Sequence, residues 1–236
     1  KNVINTLDNS EYVFCVSKDI KDICIKLGVS EEKLEIVPNG INKKIFHPMD
    51  RDFARKTVDI EFDGKIVLYV GSYMPVKGIE YLLKAALTLL EKNKNLVFIF
   101  IGRGFEKMSG MHSNIKVIGP IEHEKIPFWL NSADLLVLPS LSEGRPNILL
   151  EAMACKTPIL STKVGGIPEI VKDNYNGILI PPKRSDLLEE KISIILENEG
   201  LLKKIGENGL RFIEKNNLYW EEIAKKVVRI YRKMLE

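Results

Sequence analysis

The chain has 236 residues, 45% hydrophobic and 28% charged, which is the composition of a soluble globular protein long enough to bury a core in one large or two small domains. Its net charge of +3, from 35 basic and 32 acidic residues, is too small and too evenly spread to argue for a nucleic-acid partner. No apolar run approaches the ~18 residues that a spanning helix needs.

Three cysteines, Cys15, Cys24 and Cys155, stand in apolar contexts without metal or disulfide spacing, so a reducing, cytoplasmic location is expected. The first residue is Lys1 rather than Met, and a strand is predicted within about ten residues of it. A piece of a longer protein is the expectation.

In chain order, YVFCV (12–16) reads as a buried strand, and Ser17 then caps a helix to about Leu27 that Gly28 stops. LEIVPNG (34–40) is a short strand broken by Pro38, with a turn at Asn39 and Gly40. The polar stretch 42–64 reads as irregular and as an interdomain linker. Strands are then predicted at 65–70, 96–102, 114–119, 134–140, 158–162 and 177–182, and helices at 78–92, 124–132 and 146–155, with a helical turn at 167–172. The strands are continuous apolar runs, as in a parallel sheet covered on both faces, so the predicted fold is a doubly wound α/β domain of Rossmann type.

Three helices follow at 185–196, 199–215 and 219–235. The last carries Trp220, Ile223, Val227, Tyr231 and Met234 at helical spacing, with Lys225, Lys226, Arg229, Arg232 and Lys233 mostly elsewhere. It is expected to pack on the domain with a solvated basic face, contact with an anionic membrane surface being the alternative.

In open α/β sheets ligands bind beyond the carboxyl ends of the strands. Five loops there are unusual: 71–78, 102–104, 119–124, 139–147 and 162–169. GRG at 102–104 starts like a dinucleotide fingerprint, but Lys107 stands at its third glycine position, which favours a plain turn over a nicotinamide site. Lys77 and Gly78 directly precede a helix, where an ammonium and free amides together attract an anion. In SEGRPNILLEAMACKTPIL (142–160), Pro146 suits the first turn of a helix whose amides at Asn147, Ile148 and Leu149 form a second anion site.

That second helix is apolar all round, so Glu151 is placed near the rim, because a buried carboxylate without a donor costs several kcal/mol. Glu143 at the loop tip and Glu151 roughly 6 Å deeper could both accept hydrogen bonds from a polyhydroxyl ligand. In TKVGGIPE (162–169), two glycines are expected to let a ligand approach the backbone, and Pro168 opens a further short helix. His47, His112 and His123 receive no role.

VPNGI (37–41), LYVGSYMPVKG (68–78), FIGRG (100–104), IGPI (118–121), LPSLSEGRPNILLEAMA (138–154), TPILSTKVGGIPEIV (157–171) and NGILIPP (176–182) occur in this order. Together they resemble the C-terminal half of retaining glycosyltransferases of family 4, which have the GT-B fold. The resemblance implies transfer of a sugar from a nucleotide-diphosphate sugar to an acceptor glycan, lipid or small molecule, in glycan, polysaccharide or glycolipid synthesis.

The family's E-x7-E motif falls on Glu143 and Glu151, which implies donor-sugar contact at Glu143 and ribose contact at Glu151. Lys77 would hold the diphosphate, supported by amides near Asn147 and Ile148, and Glu143 and Lys77 are the expected catalytic pair. Gly102, Arg103, Gly104, Ile118 and Gly119 would flank the base, and Gly71, Ser72, Gly144, Arg145 and Pro146 complete the expected donor contacts. No metal ion or redox cofactor is expected, because positive side chains and amides stabilise the leaving diphosphate.

Two positions depart from the family pattern. Ser72 stands where an arginine usually joins the lysine on the phosphates, leaving Arg103 or Arg145 as substitutes. EGRPN replaces the more frequent EGFG, so the sugar stays open. By the same resemblance, residues 1–45 are the end of an N-terminal acceptor domain and its linker, 46–218 the donor domain, and 219–236 a helix that packs back on the missing domain. The expected partners are a nucleotide sugar, an acceptor and that N-terminal domain, with contact to the cytoplasmic face of a membrane as an option. Alternatives are a nucleotide-sugar-binding module without transfer activity and a GT-B-like nucleotide-sugar epimerase. A phosphorylase would require a pyridoxal lysine, which cannot be identified.

Overall fold

The six apolar runs become six parallel strands: β3 (Lys65–Val70), β4 (Leu96–Ile101), β5 (Ile115–Ile118), β6 (Leu135–Leu138), β7 (Ile159–Thr162) and β8 (Ile178–Ile180). The computed structural model of the chain describes residues 2–235. The strands lie in the order β5-β4-β3-β6-β7-β8. Every residue of β4 and β6 is buried, which is why these strands read as unbroken apolar runs rather than as an alternation.

Between strands run α4 (Ile79–Lys92), α5 (Ile126–Ser132), α6 (Asn147–Ala154) and the one-turn α7 (Ile167–Ile170). Helices α8 (Ser185–Leu196) and α9 (Glu199–Lys215) follow the sheet. The chain winds outward from β3 in one direction and returns to add β6 on its other side. The carboxyl ends of β3 and β6 therefore flank the switch point, where a crevice opens in folds of this kind.

A separate two-stranded parallel sheet pairs β1 (Val13–Cys15) with β2 (Leu34–Ile36). Helix α1 (Asn2–Asp8), which the sequence reading did not anticipate, precedes it, and α2 (Lys18–Lys26) links the strands. Ser17 caps α2 as expected, its Oγ accepting from Ile20 N at 3.2 Å. Cys15, Cys24, Val29 and Leu34 form this unit's own small core.

The stretch 42–64 is not an irregular linker. It holds α3 (Arg51–Thr57), capped by Asp50; Phe46 joins the main core and Ala54 of α3 is fully buried. The polar composition that suggested a linker is engaged internally: Arg51, Arg55 and Lys65 all approach the fully buried Asp134, at 2.7, 3.2 and 3.4 Å. Asp134 also accepts from Ile66 N at 2.9 Å, at the end of the sheet opposite the rim.

Helix α10 (Trp220–Leu235) packs on the two-stranded unit. Ile223 and Ile230 are buried beside Val37, with Val227 and Met234 partly covered. Trp220 and Tyr231 are half exposed, so the buried stripe runs 223, 227, 230, 234 and not through 220 and 231. The short β1–β2 surface covers only this narrow seam, and Tyr231 meets Phe14 edge-on at its border. Lys226 pairs with Glu35 at 3.1 Å, so this member of the basic face is not simply solvated. Lys1 and Glu236, the outer bounds of the expected segments, lie outside the described residues. Among the described residues no helix is long and apolar enough to cross a membrane.

Candidate functional site

Lys77 lies in a single 3-10 turn (Pro75–Lys77) at the end of the loop after β3. Gly78, with φ of 63°, then turns the chain into α4, and a β-carbon there would lie 2.2 Å from the Pro139 carbonyl oxygen. This close approach, with Leu141 N donating to Val76 O at 2.7 Å, brings the two loops of the switch point together. Lys77 Nζ consequently sits 2.7 Å from Glu143 Oε1, which also accepts from Ser140 Oγ at 2.7 Å. Glu143 is not a free loop charge: its side chain is only 10% exposed.

The glycines of TKVGGIPE have a different job from the one expected. A β-carbon at Gly165 would lie 1.8 Å from Glu143 O, and one at Gly166 would lie 1.9 Å from Gly144 O. Gly166 N donates to Glu143 O at 3.2 Å. The space above these glycines is thus filled by the 143–144 backbone, not left for a ligand. Glu169 likewise turns away from solvent and accepts from Lys18 N and Asp19 N, both at 2.9 Å, at the start of α2.

Helix α6 begins at Asn147, with Pro146 in the capping position, one place earlier than expected. Leu149 N donates to Pro146 O at 3.3 Å, which leaves Asn147 and Ile148 to offer amides at this end. Asn147 Oδ1 also accepts from Asn39 Nδ2 at 2.6 Å, so the turn after β2 reaches the same helix start.

Glu151 lies in the second turn of α6 and is 5% exposed, deeper than a rim residue. The donor that permits this is His123, whose Nε2 lies 2.8 Å from Glu151 Oε1. Burial pushes the Glu151 carboxyl above the usual range, and the His123 hydrogen bond pulls it back. His123 was given no role from sequence, and the only signal available was a polar GPIEHE loop on the binding rim facing an otherwise unpartnered helix glutamate. Tyr69 was also missed, because it reads as one more apolar position of β3. Its hydroxyl donates to Ser72 O at 3.3 Å, and burial followed by the Glu143 charge raises its phenol well above the ordinary value.

The remaining expected contacts fall into two groups. Gly71, Ser72, Gly102 and Arg103 line one cavity of about 260 Å³ with Pro120 and Ile121. Gly104 is exposed beside Tyr73, while Ile118 O accepts from Gly102 N at 3.1 Å and Gly119 faces open space. Arg145 lies apart from that cavity, its Nε buried without a hydrogen-bond partner among the described residues. Burial lowers its pKa, and the Glu169 charge opposes that shift. Gly144 at its side meets Ile20 and Val16 of the small unit, so this loop closes against α2. Among the described residues no three His, Cys, Asp or Glu side chains converge as metal ligands would.

A family model described as glycosyl transferases group 1 matches residues 50–212, a span containing every expected site residue. The chain is 32% identical over 232 residues to an uncharacterized glycosyltransferase of Methanocaldococcus jannaschii, covering 96% of this chain and 60% of that one. It is 28% identical to a D-inositol 3-phosphate glycosyltransferase of Streptomyces bingchenggensis, covering 86% of this chain and 48% of that one. The chain therefore spans 48–60% of the length of these two relatives.

Sucrose-phosphate synthase from Thermosynechococcus elongatus superposes with a TM-score of 0.86 at 26% identity, covering 99% of this chain and 60% of that one. The Anabaena protein HepE, solved in complex with UDP-glucose, gives 0.86 at 20% identity, over 98% of this chain and 66% of its own. These neighbours are GT-B glycosyltransferases, and the switch-point crevice with Lys77 and Glu143 lies inside the matched span. The chain belongs to the glycosyl transferases group 1 family.

Proposed function

We propose that this chain is the donor-binding, C-terminal half of a retaining glycosyltransferase of family 4. It would move a hexose-type sugar from a nucleoside diphosphate to a glycan, lipid or small-molecule acceptor. The observation that carries the reading is the meeting of Lys77 and Glu143 at 2.7 Å over the switch point, with α6 and Glu151 directly below.

In this reading the diphosphate lies on Lys77 and on the amides of Asn147 and Ile148, where the helix start favours negative charge. The sugar hydroxyls bond Glu143 and the ribose hydroxyls bond Glu151. The base lies between the 102–104 turn and Ile118–Gly119. Arg103 shares a cavity with Ser72 and is the substitute for the family's missing arginine. Charge developing on the leaving diphosphate is met by these cations and amides, so the transfer is assigned no metal. Residues 1–45 and 219–236, in contact through Val37 with Ile223 and Ile230 and through Phe14 with Tyr231, belong with the acceptor domain, and 46–218 is the donor domain.

Two measurements test this. Glu151→Ala should abolish UDP-sugar binding by calorimetry, and unchanged affinity would sink the ribose assignment. The chain alone should bind donor without transferring it, whereas the same chain joined to an acceptor domain transfers. Transfer by the chain alone would overturn the half-site assignment.

A further inference from the structure

Glu151 is the expected ribose contact, yet its carboxylate is nearly sealed from solvent, and its side chain takes a single hydrogen bond among the described residues, from His123. The two side chains are unequal in position: His123 is 61% exposed at the mouth and Glu151 7% exposed behind it. The imidazole is held in place, lying against the buried Phe46 ring with centroids 5.0 Å apart and a tilt of 53°. Phe46 is itself fixed, because Met49 N donates to Asn131 Oδ1 at 2.8 Å and Asn131 Nδ2 donates to His47 O at 3.1 Å, tying the segment to α5. With an ionised carboxylate as acceptor, Nε2 must carry the proton.

We propose that His123 is a positioning residue for Glu151, holding the buried carboxylate ionised and oriented, and so setting the pH range over which the site accepts the diol of a nucleotide ribose. The inference rests on the ribose reading of Glu151 given above. Two ribose hydroxyls are best met by a charged carboxylate that accepts from both. A carboxylate buried without a donor takes up a proton and loses that capacity.

Other groups do not supply this support. Cys155, one turn along α6, has a thiol that burial keeps protonated, and it faces the Asn131 side chain and the His47 backbone. Glu122, Glu124 and Lys125 share the turn of His123 but are exposed, and Lys125 pairs with Glu122 at 3.1 Å. His123 is therefore the hydrogen-bonding partner that faces Glu151.

The test is UDP affinity of the chain by calorimetry between about pH 5 and 9, for wild type, His123→Ala, His123→Gln and Glu151→Ala, with thermal unfolding as the folding control. Removing the imidazole donor raises the carboxyl further. The acid limb of binding in His123→Ala should therefore move up by about one pH unit, with about tenfold weaker binding on that limb and convergence on wild type in base. His123→Gln restores an N–H donor and should return the limb toward wild type. A limb unmoved in His123→Ala, or a loss equal at every pH, overturns the proposal. Glu151→Ala separates the two readings: unchanged UDP affinity there overturns the ribose assignment itself. A loss there with His123→Ala unaffected overturns only the role of His123.

Discussion

Lys77 and Glu143 form an ion pair 2.7 Å long, with side chains 27% and 10% exposed. The cation proposed for the diphosphate and the carboxylate proposed for the sugar are thus direct partners, so a bound donor competes with this contact for both. The diphosphate offers Lys77 more negative charge than one carboxylate does, and the exchange frees Glu143 for hydroxyls. Glu143→Ala should therefore leave UDP affinity unchanged or raise it about twofold to fivefold, since little coupling is lost from a partly exposed pair. UDP-sugar should lose its advantage over UDP, and transfer by the complete enzyme should fall about 100-fold. Lys77→Ala should weaken both ligands, by about 10-fold to 100-fold. Equal losses for UDP and UDP-sugar in Glu143→Ala, by calorimetry, would sink this division of roles.

Gly166 provides a sharper test of how the site is held. A β-carbon there would lie 1.9 Å from Gly144 O and 3.0 Å from the Ser17 side chain, so Gly166→Ala must displace the 143–145 loop. A misplacement of this kind costs binding even where no ligand contact is removed. The expected result is a Tm lower by about 4–8 °C, from roughly 2 kcal/mol of strain in a chain of this size, together with weaker UDP-sugar binding. Gly200→Ala, in α9 away from the site, where an added β-carbon meets only the Asn198 side chain at 3.4 Å, is the matched control and should lower neither.

Much of this was legible in the sequence for identifiable reasons. Continuous apolar runs in β4 and β6 announced a doubly covered parallel sheet, and the loops after β3 and β6 announced the crevice. The expected positions of Lys77, Glu143 and the α6 start depend only on local strand–turn–helix order, and the structure brings them to one place. What stayed hidden depends on contacts distant in sequence. Glu151 and His123 are 28 positions apart, and neither alone signals the other. The tight approach of Gly165 and Gly166 to the 143–144 backbone could not be told from an approach to a ligand, because a glycine reports closeness without its partner. Stretch 42–64 looked like a linker because its polar residues have their partner, Asp134, about eighty positions away.

That distant partner makes Asp134 a stability determinant at the end of the sheet away from the rim. Its side chain is fully buried and meets Arg51, Arg55, Lys65 and the Ile66 amide. Asp134→Ala leaves the largely buried guanidinium of Arg55 without its carboxylate, and removing one member of such a cluster costs about 3–5 kcal/mol. Urea unfolding should show that loss, whereas UDP affinity of the folded fraction at low temperature should stay within about twofold, since Asp134 lies at the other end of the sheet. A loss under 1 kcal/mol would show that the cluster is electrostatically inert, against the ~3 kcal/mol expected.

Glu151 should show a conflict between stability and binding. Burial raises its carboxyl in the folded chain, and the His123 bond only partly offsets this. A group whose native pKa is raised contributes stability that is fully present in acid, below its unfolded pKa, and that is lost as pH rises through the native value. At neutral pH the ionised carboxylate is therefore a burden on the fold. Glu151→Gln removes the charge but keeps an oxygen that can accept from His123 Nε2. It should raise Tm by about 2–4 °C near pH 7, the shift that roughly 1 kcal/mol produces in a chain this long. The gain should vanish near pH 4, where the wild-type carboxyl is protonated as well. UDP affinity should fall in the same variant, because a neutral amide accepts more weakly from a ribose diol than a carboxylate does. Thermal scans at the two pH values decide the matter: a Glu151→Gln chain less stable than wild type at pH 7 would mean that His123 fully compensates the buried charge.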